Sequence, residues 1–169
     1  LGVAVEASYT VGEYDILILS AKESLGLKTW LTDNGYKIPK RAEDVLEPYI
    51  KSNLKFFVVK VNIKEKEKAG LENLRPIQIK FNSPKFMLPI RLGMANADGD
   101  QDMIIYSFTR KGRIETTNYR TVAVPTGKNI PLFVQKNFSD FYTNLFMHQW
   151  QREDERIAFL EYAWDVSPS

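Results

Sequence analysis

The chain has 169 residues, of which 44% are hydrophobic and 26% are charged, as in an ordinary globular domain that builds its own core. Its 23 basic and 21 acidic residues leave a formal charge of +2, which is too balanced to hold the chain on nucleic acid. With no cysteine and one histidine, the sequence excludes disulfides, thiol nucleophiles and zinc sites that need two imidazoles. We therefore expect a single domain over residues 1–169, without a membrane-spanning helix in these residues.

The first third of the sequence predicts one strand and two helices. Val11–Ala21 alternates between two faces, which is the period of a strand. Ser24–Asn34 has apolar residues at helical spacing, and Gly35 follows where a left-handed C-cap is expected. Pro39 opens a second helical stretch that reaches Ile50. This helix tolerates its internal proline only if that residue lies in the last turn.

The middle of the sequence predicts strands separated by polar segments. Lys55–Ile63 alternates again and predicts a central strand with both faces partly covered. The run Lys64–Lys68 alternates in charge and predicts a solvated loop. Two further strands are predicted at Ile77–Phe81 and Phe86–Leu92, the second at an edge or a bulge because Pro89 lacks an N–H donor.

A hairpin, a long helix and a last strand are predicted for the remainder. Met103–Arg110 and Arg113–Val124 flank a two-residue Lys-Gly connection, which suits a tight hairpin turn. Asn137–Arg152 has aromatic residues at helical spacing, with Asp140 near its start as a partner for the helix dipole. Alternation over Leu160–Val166 predicts the last strand.

These elements predict an α+β fold. Its sheet is mainly antiparallel and mixed, because the predicted hairpin connections are too short for parallel crossovers. Two short helices lie in the N-terminal half, and a longer helix lies near the C-terminus.

A loop of oxygen-bearing side chains resembles the first half of a calcium site. These side chains stand at every second position, and they are those of Asn96, Asp98, Asp100 and Asp102. The glycine and the final bidentate glutamate of a complete calcium loop are missing. We therefore expect no cofactor, with calcium as an alternative, and a solvated turn between strands as the simplest interpretation.

Other residues give weaker hints of chemistry. Glu13 and Asp15 are expected on one strand face, where two carboxylates can share acid and base roles, although a solvent-facing strand edge is the simpler interpretation. His148 is the sole imidazole, and no Gly-x-Ser-x-Gly pattern supplies a nucleophile for it.

Aromatic and polar side chains offer two alternatives to catalysis. Aromatic residues, at 12% of the chain, mostly build core, but some could form a surface that binds a sugar or a partner. These residues are Trp30, Tyr36, Trp150, Tyr162 and Trp164. Arg91, Asn118 and Arg120 are polar groups within predicted strand segments, and we predict them as binding residues. The alternative for these three is hydrogen bonding or ion pairing across the sheet.

Five segments in order carry a resemblance to a known family. They are Val11–Ile16, Trp30-Leu31 with Asn34–Pro39, Lys55–Val58, Leu88–Gly93 and Glu115–Arg120. Together they resemble a bacterial exported family, domain of unknown function 2330 (DUF2330), from about Val11 to Trp164.

The resemblance implies location more than chemistry. Family members are similar to exported proteins with a signal peptide, a cysteine-bearing N-terminal segment and often a C-terminal hydrophobic anchor. We therefore expect this chain to be the central part of a longer exported precursor, in the periplasm or at the cell surface. The resemblance supplies no catalytic residue.

The function we expect is a non-enzymatic, extracytoplasmic binding or structural module in a bacterial envelope or cell-surface assembly. It binds a protein partner and no nucleic acid. One alternative is a carboxylate-based hydrolase that acts on envelope polymer. Another is an adhesion-type domain stiffened by calcium.

Overall fold

A computed structural model describes residues 2–125, 127–153 and 155–166 of the chain. The described residues form two compact units. The first contains the residues up to Lys80 together with Pro89–Asp102, and the second contains Phe81–Leu88 and the residues from Met103 onward. The expectation that residues 1–169 form a single domain stays a prediction.

The first unit is built on a three-stranded antiparallel sheet. Its strands are β1 (Val3–Val11), β2 (Tyr14–Ala21) and β3 (Phe56–Val61), in the order β1-β2-β3. The predicted strand at Val11–Ala21 is therefore confirmed over β2. The structure adds β1 before it, which the sequence analysis did not predict.

Lys55–Ile63 contains a strand, β3, but the prediction that it is a central strand of the sheet is wrong. Among the described residues β3 pairs with β2 alone, so β2 is the central strand of the sheet. Ile16 and Leu19 point to opposite faces of β2, and both are buried. β3 is partly buried at this sheet edge, because Phe56 is buried while Phe57 and Val61 on the other face are exposed.

Two helices provide much of the core of this unit. α1 spans Ser24–Asp33, and Gly35 follows its C-cap with a φ of 77°, in the left-handed region, as predicted. α2 (Ala42–Lys51) contains Pro48 and ends three residues after it, so the proline lies in the last turn, as the sequence required. The two helices pack against each other, and their buried apolar residues face the core. These residues are Leu27 and Leu31 of α1, and Ala42, Val45, Leu46, Tyr49 and Ile50 of α2.

The charged run after β3 forms a short helix, so the predicted loop is wrong. α3 spans Ile63–Lys68, and the Asn62 side chain accepts a hydrogen bond of 3.3 Å from the backbone N–H of Glu65. This N-cap satisfies one of the free donors of the first turn. The alternating charges also support a helix, because Lys68 pairs with Glu65 one turn earlier at 2.6 Å.

The second unit contains a parallel strand pair joined by a helix. β4 (Arg120–Ala123) and β5 (Ile157–Leu160) are parallel, and α4 (Phe138–Arg152) lies between them in sequence, preceded by a 3-10 helix at Leu132–Asn137. α4 contacts β5 through Phe146 and Phe159, whose ring centroids lie 4.2 Å apart. The predicted C-terminal helix is confirmed, and Asp140 lies in its first turn.

Several predicted strands are wrong. Residues 77–119, all described, contain no strand, and Ile90–Ala95 forms a 3-10 helix instead. Of the predicted hairpin only β4 is a strand, and the last strand covers Ile157–Leu160 instead of continuing to Val166. Alternation predicts a strand only if a partner strand is available to accept its backbone hydrogen bonds.

The fold class is confirmed. The chain is α+β, with antiparallel pairing through the larger sheet, two short helices in the N-terminal half and a longer one near the C-terminus. Within the described ranges, no helix combines the length and apolar character that crossing a membrane requires.

Candidate functional site

The most distinctive site of the second unit lies where its two parallel strands end. Val124 follows β4 directly, and Glu161 and Tyr162 follow β5. The N–H of Val124 donates to the carbonyl of Leu160 at 3.3 Å, which continues the strand pairing to this edge. With Tyr142 of α4, these residues line a hollow of about 320 Å³, which we call the strand-end hollow.

The polar centre of the strand-end hollow is a tyrosine and a carboxylate. The hydroxyl of Tyr142 donates a hydrogen bond to Oε1 of Glu161. This bond, with partial burial and the nearby negative charge, raises the pKa of Tyr142 to about 12. Tyr142 therefore stays protonated and remains a donor at neutral pH.

The walls of the strand-end hollow are aromatic and apolar. Tyr162 is 75% exposed, and its ring contacts that of Trp164 edge to face, with centroids 5.3 Å apart. Val124 is buried and forms an apolar part of the lining. The arrangement combines exposed ring surface with one carboxylate, which suits binding.

A second polar arrangement lies in the first unit, at the turn between β1 and β2. The side chain of Glu13 is almost fully buried, and its carboxylate accepts hydrogen bonds from Arg75. The backbone N–H of Arg75 donates at 3.0 Å and its Nε at 2.9 Å, and its Nη2 donates as well. The hydroxyl of Tyr14 donates to the carbonyl of Arg75. We call this arrangement the Glu13–Arg75 clip.

The Glu13–Arg75 clip corrects the sequence interpretation of Glu13. Glu13 lies in the turn and is buried, so the expected solvent-facing strand edge is wrong for it. Hydrogen bonds from Arg75 lower the pKa of Glu13 to about 2 and so hold the carboxylate ionised. Asp15 accepts a separate hydrogen bond of 2.9 Å from the Thr10 hydroxyl. The two carboxylates thus have different partners.

The three predicted binding residues lie in different settings. The side-chain amide of Asn118 accepts from the N–H of Leu88 at 3.0 Å and donates to its carbonyl at 2.9 Å. Arg120 forms an ion pair with Glu153. Arg91 is exposed and uses its backbone N–H, which donates to the Tyr49 hydroxyl at 3.1 Å. Asn118 and Arg120 thus form hydrogen bonds and an ion pair, as the alternative to binding expected, but their partners lie outside the strands. Binding by these three residues stays a prediction.

The predicted calcium loop follows the 3-10 helix of the first unit. Asn96, Asp98, Asp100 and Asp102 are all exposed. Within the described part of the chain, no three acidic or histidine side chains form a group suited to a metal ion. Calcium binding by these four residues stays a prediction.

The remaining sequence candidates are distributed over both units. His148 is exposed on α4. Tyr36 lies beneath Lys60, whose Nζ is 4.3 Å from the ring centroid, in a cation–π contact. Of the aromatic residues named from the sequence, Tyr162 lines the strand-end hollow, and Trp164 contacts it.

Tyr142 and Glu161 are site residues that the sequence pattern does not predict. Tyr142 was visible only as one of several aromatic positions of a helix, and Glu161 was placed inside a predicted strand. The available signal was a carboxylate and an aromatic residue directly after a short apolar segment. Its meaning depends on the parallel pairing of β4 with β5, which the sequence analysis did not predict.

Comparison with known proteins gives a family and nothing finer. No curated protein and no solved structure matches the chain significantly. A family model described as an uncharacterized protein conserved in bacteria matches residues 1–169. The chain therefore belongs to the bacterial family DUF2330.

Proposed function

We propose that this chain is a non-enzymatic binding or structural module of a bacterial envelope or cell-surface assembly. The observation that carries the proposal is the large apolar surface of the second unit. Phe108 is 90% exposed, Leu132 87% and Tyr106 80%. Exposed apolar patches on soluble domains commonly mark interaction sites.

The composition of this surface supports a protein partner. Tyrosine, phenylalanine and methionine are enriched in the centres of protein interfaces, and the second unit exposes all three types. The exposed stretch Met103–Phe108 contains five large hydrophobic residues in six positions, namely Met103, Ile104, Ile105, Tyr106 and Phe108. Leaving so much apolar surface in water is unfavourable, and a partner that covers it removes this cost.

A second apolar feature of the same unit suits a partner's side chain. Ile130, Leu132 and Phe138 contribute to the lining of a hollow of about 310 Å³ at the start of α4. A hollow of this size accepts one or two apolar side chains, as anchor residues of a partner require. The extracytoplasmic location in the proposal is supported by the resemblance to an exported family.

Cross-linking of the native, full-length protein in its own cells tests the proposal. We expect the protein in the envelope fraction, with a cross-linked partner that is lost when Tyr106→Ser and Phe108→Ser are combined. The matched control is Leu25→Ser, which removes a 60% exposed apolar side chain from the first unit. A cytoplasmic location, or equal cross-linking by all variants, would contradict the proposal.

A further inference from the structure

We infer that the strand-end hollow binds an organic cation, the ammonium or guanidinium group of a lysine or arginine side chain. The inference deepens the proposed function, on which it rests, by naming the chemistry that the second unit recognises in its partner. It depends on three observations: an uncompensated carboxylate, aromatic walls and the position of the hollow at the ends of two parallel strands.

The carboxylate of Glu161 is exposed and has no ion-pair partner among the described residues. All 23 lysines and arginines lie in the described part of the sequence, and none forms an ion pair with Glu161. The hydroxyl of Tyr142 orients the carboxylate without neutralising it. An ammonium or guanidinium group would supply both the missing charge and further hydrogen-bond donors.

The walls of the hollow suit the same ligand. Tyr142 and Tyr162 are two of the lining residues. An aromatic face attracts a cation within about 6 Å of its centroid. The chain already uses this interaction in the first unit, where Lys60 lies over Tyr36. A volume of about 320 Å³ is at the lower end for ligand sites and admits one side-chain head group with part of its stem.

The position of the hollow supports a ligand site independently of its charge. β4 and β5 are parallel and joined through α4, so their carboxyl ends meet at one edge. In open sheets with helical crossovers, ligands bind in crevices outside the carboxyl ends of the strands. Val124 and Glu161, the residues directly after β4 and β5, both line the hollow.

An NMR titration of the intact chain tests the inference. The probes are N-acetyl-lysine methylamide and N-acetyl-arginine methylamide, with N-acetyl-norleucine methylamide, which has the four-carbon stem of lysine without its ammonium group, as the neutral analogue. We expect saturable shifts at Val124, Tyr142 and Tyr162 with the cationic probes and none with the neutral one. Glu161→Gln should weaken binding about tenfold or more, because a charge-assisted hydrogen bond is lost.

Two variants serve as controls for charge and for folding. Glu155→Gln makes the same change of charge in the second unit on a side chain that does not line the hollow, and it should bind as the wild type does. Tyr162→Ala removes an exposed ring whose loss leaves the core intact, and it should also weaken binding. It keeps the inference testable if Glu161→Gln fails to fold.

Other results would overturn the inference. These are equal shifts with the neutral probe, shifts outside the hollow, or wild-type affinity in Glu161→Gln. Equal affinity for methylammonium would support a cation site but would overturn the inference that its ligand is a lysine or arginine side chain. Loss of cross-linking in the Tyr106 and Phe108 variant without any cation binding would leave the proposed function standing and remove this inference alone.

Discussion

The two units differ in how they use their apolar side chains. The first buries Leu19 and Leu27 completely, and β2, β3, α1 and α2 each contribute buried apolar residues to the core. In the described part of the second unit, Val124 and Val134 are the buried hydrophobic residues, and α4 has none. Long exposed apolar segments accompany this small core.

The difference between the units shows that a high content of apolar residues does not by itself determine how many of them are buried. Both units are rich in large apolar residues. In the first, two helices pack against each other and α1 also packs against the sheet, whereas in the described part of the second, α4 contacts β5 through one ring pair. The second has two four-residue strands and one long helix, which together offer little surface to bury its remaining aromatic side chains. The first unit therefore supplies stability, and the second supplies the surface on which the proposed function depends.

The largest expected effect comes from the core of the first unit. Leu19→Ala should lower the free energy of unfolding by about 2–5 kcal/mol, because it leaves a cavity at a fully buried position. The matched change Leu132→Ala in the second unit should alter it by about 0.5 kcal/mol or less, because Leu132 is exposed. Urea denaturation measures both, and equal losses would remove the contrast between the units.

The Glu13–Arg75 clip gives the next effect, and it depends on pH. The pKa of Glu13 is about 2 in the folded chain and 4.5 ordinarily, so between these values the unfolded chain binds more protons. The clip's contribution is therefore complete above about pH 4.5 and is lost as pH falls towards 2. Glu13→Gln should lower the melting temperature by several degrees at neutral pH and flatten its decline in acid.

Melting curves of the wild type and Glu13→Gln across this acid range measure the effect. Glu6→Gln is the control, since its carboxylate pairs with Lys55 at 2.6 Å on the exposed surface and also has a lowered pKa. Its variant should differ little from the wild type. Parallel decline of wild type and Glu13→Gln in acid would show that the clip is not responsible.

The sequence predicted the helices well because their signals are local. Apolar residues at three and four positions define α1, α2 and α4, and Gly35 marks the end of α1 at a position that requires a positive φ. Helical hydrogen bonds join residues four apart, so no distant partner has to be known. The error at α3 arose because its charges were interpreted without the Asn62 N-cap before them.

The strands between residues 77 and 119 could not be predicted because strand pairing is non-local. Their alternation is clear in the sequence, but it does not reveal whether another strand lies beside them. The sites were hidden for the same reason. Tyr142 and Glu161 are 19 residues apart and Glu13 and Arg75 are 62 apart, so their meeting depends on the tertiary fold.

Asn118 offers a smaller test, within the second unit. Asn118→Ala removes both hydrogen bonds to the backbone of Leu88 and should lower the free energy of unfolding by about 1 kcal/mol. Asn118→Asp retains the acceptor and loses the donor, so its loss should be intermediate. Chemical denaturation measures both. Weakened partner binding with unchanged stability would show instead that Asn118 is a binding residue.

The smallest effects are expected at the two arginines. Arg120→Ala removes an ion pair whose arginine is largely exposed, and it should cost about 0.2–1 kcal/mol, as should Glu153→Gln. Arg91→Ala keeps the backbone donor to Tyr49 and should leave stability unchanged. Arg91 is therefore the one of the three predicted binding residues whose alanine variant separates binding from folding. A loss of cross-linking in Arg91→Ala at wild-type stability would show that the first unit also contains a binding residue, whereas wild-type cross-linking would show that Arg91 is not one.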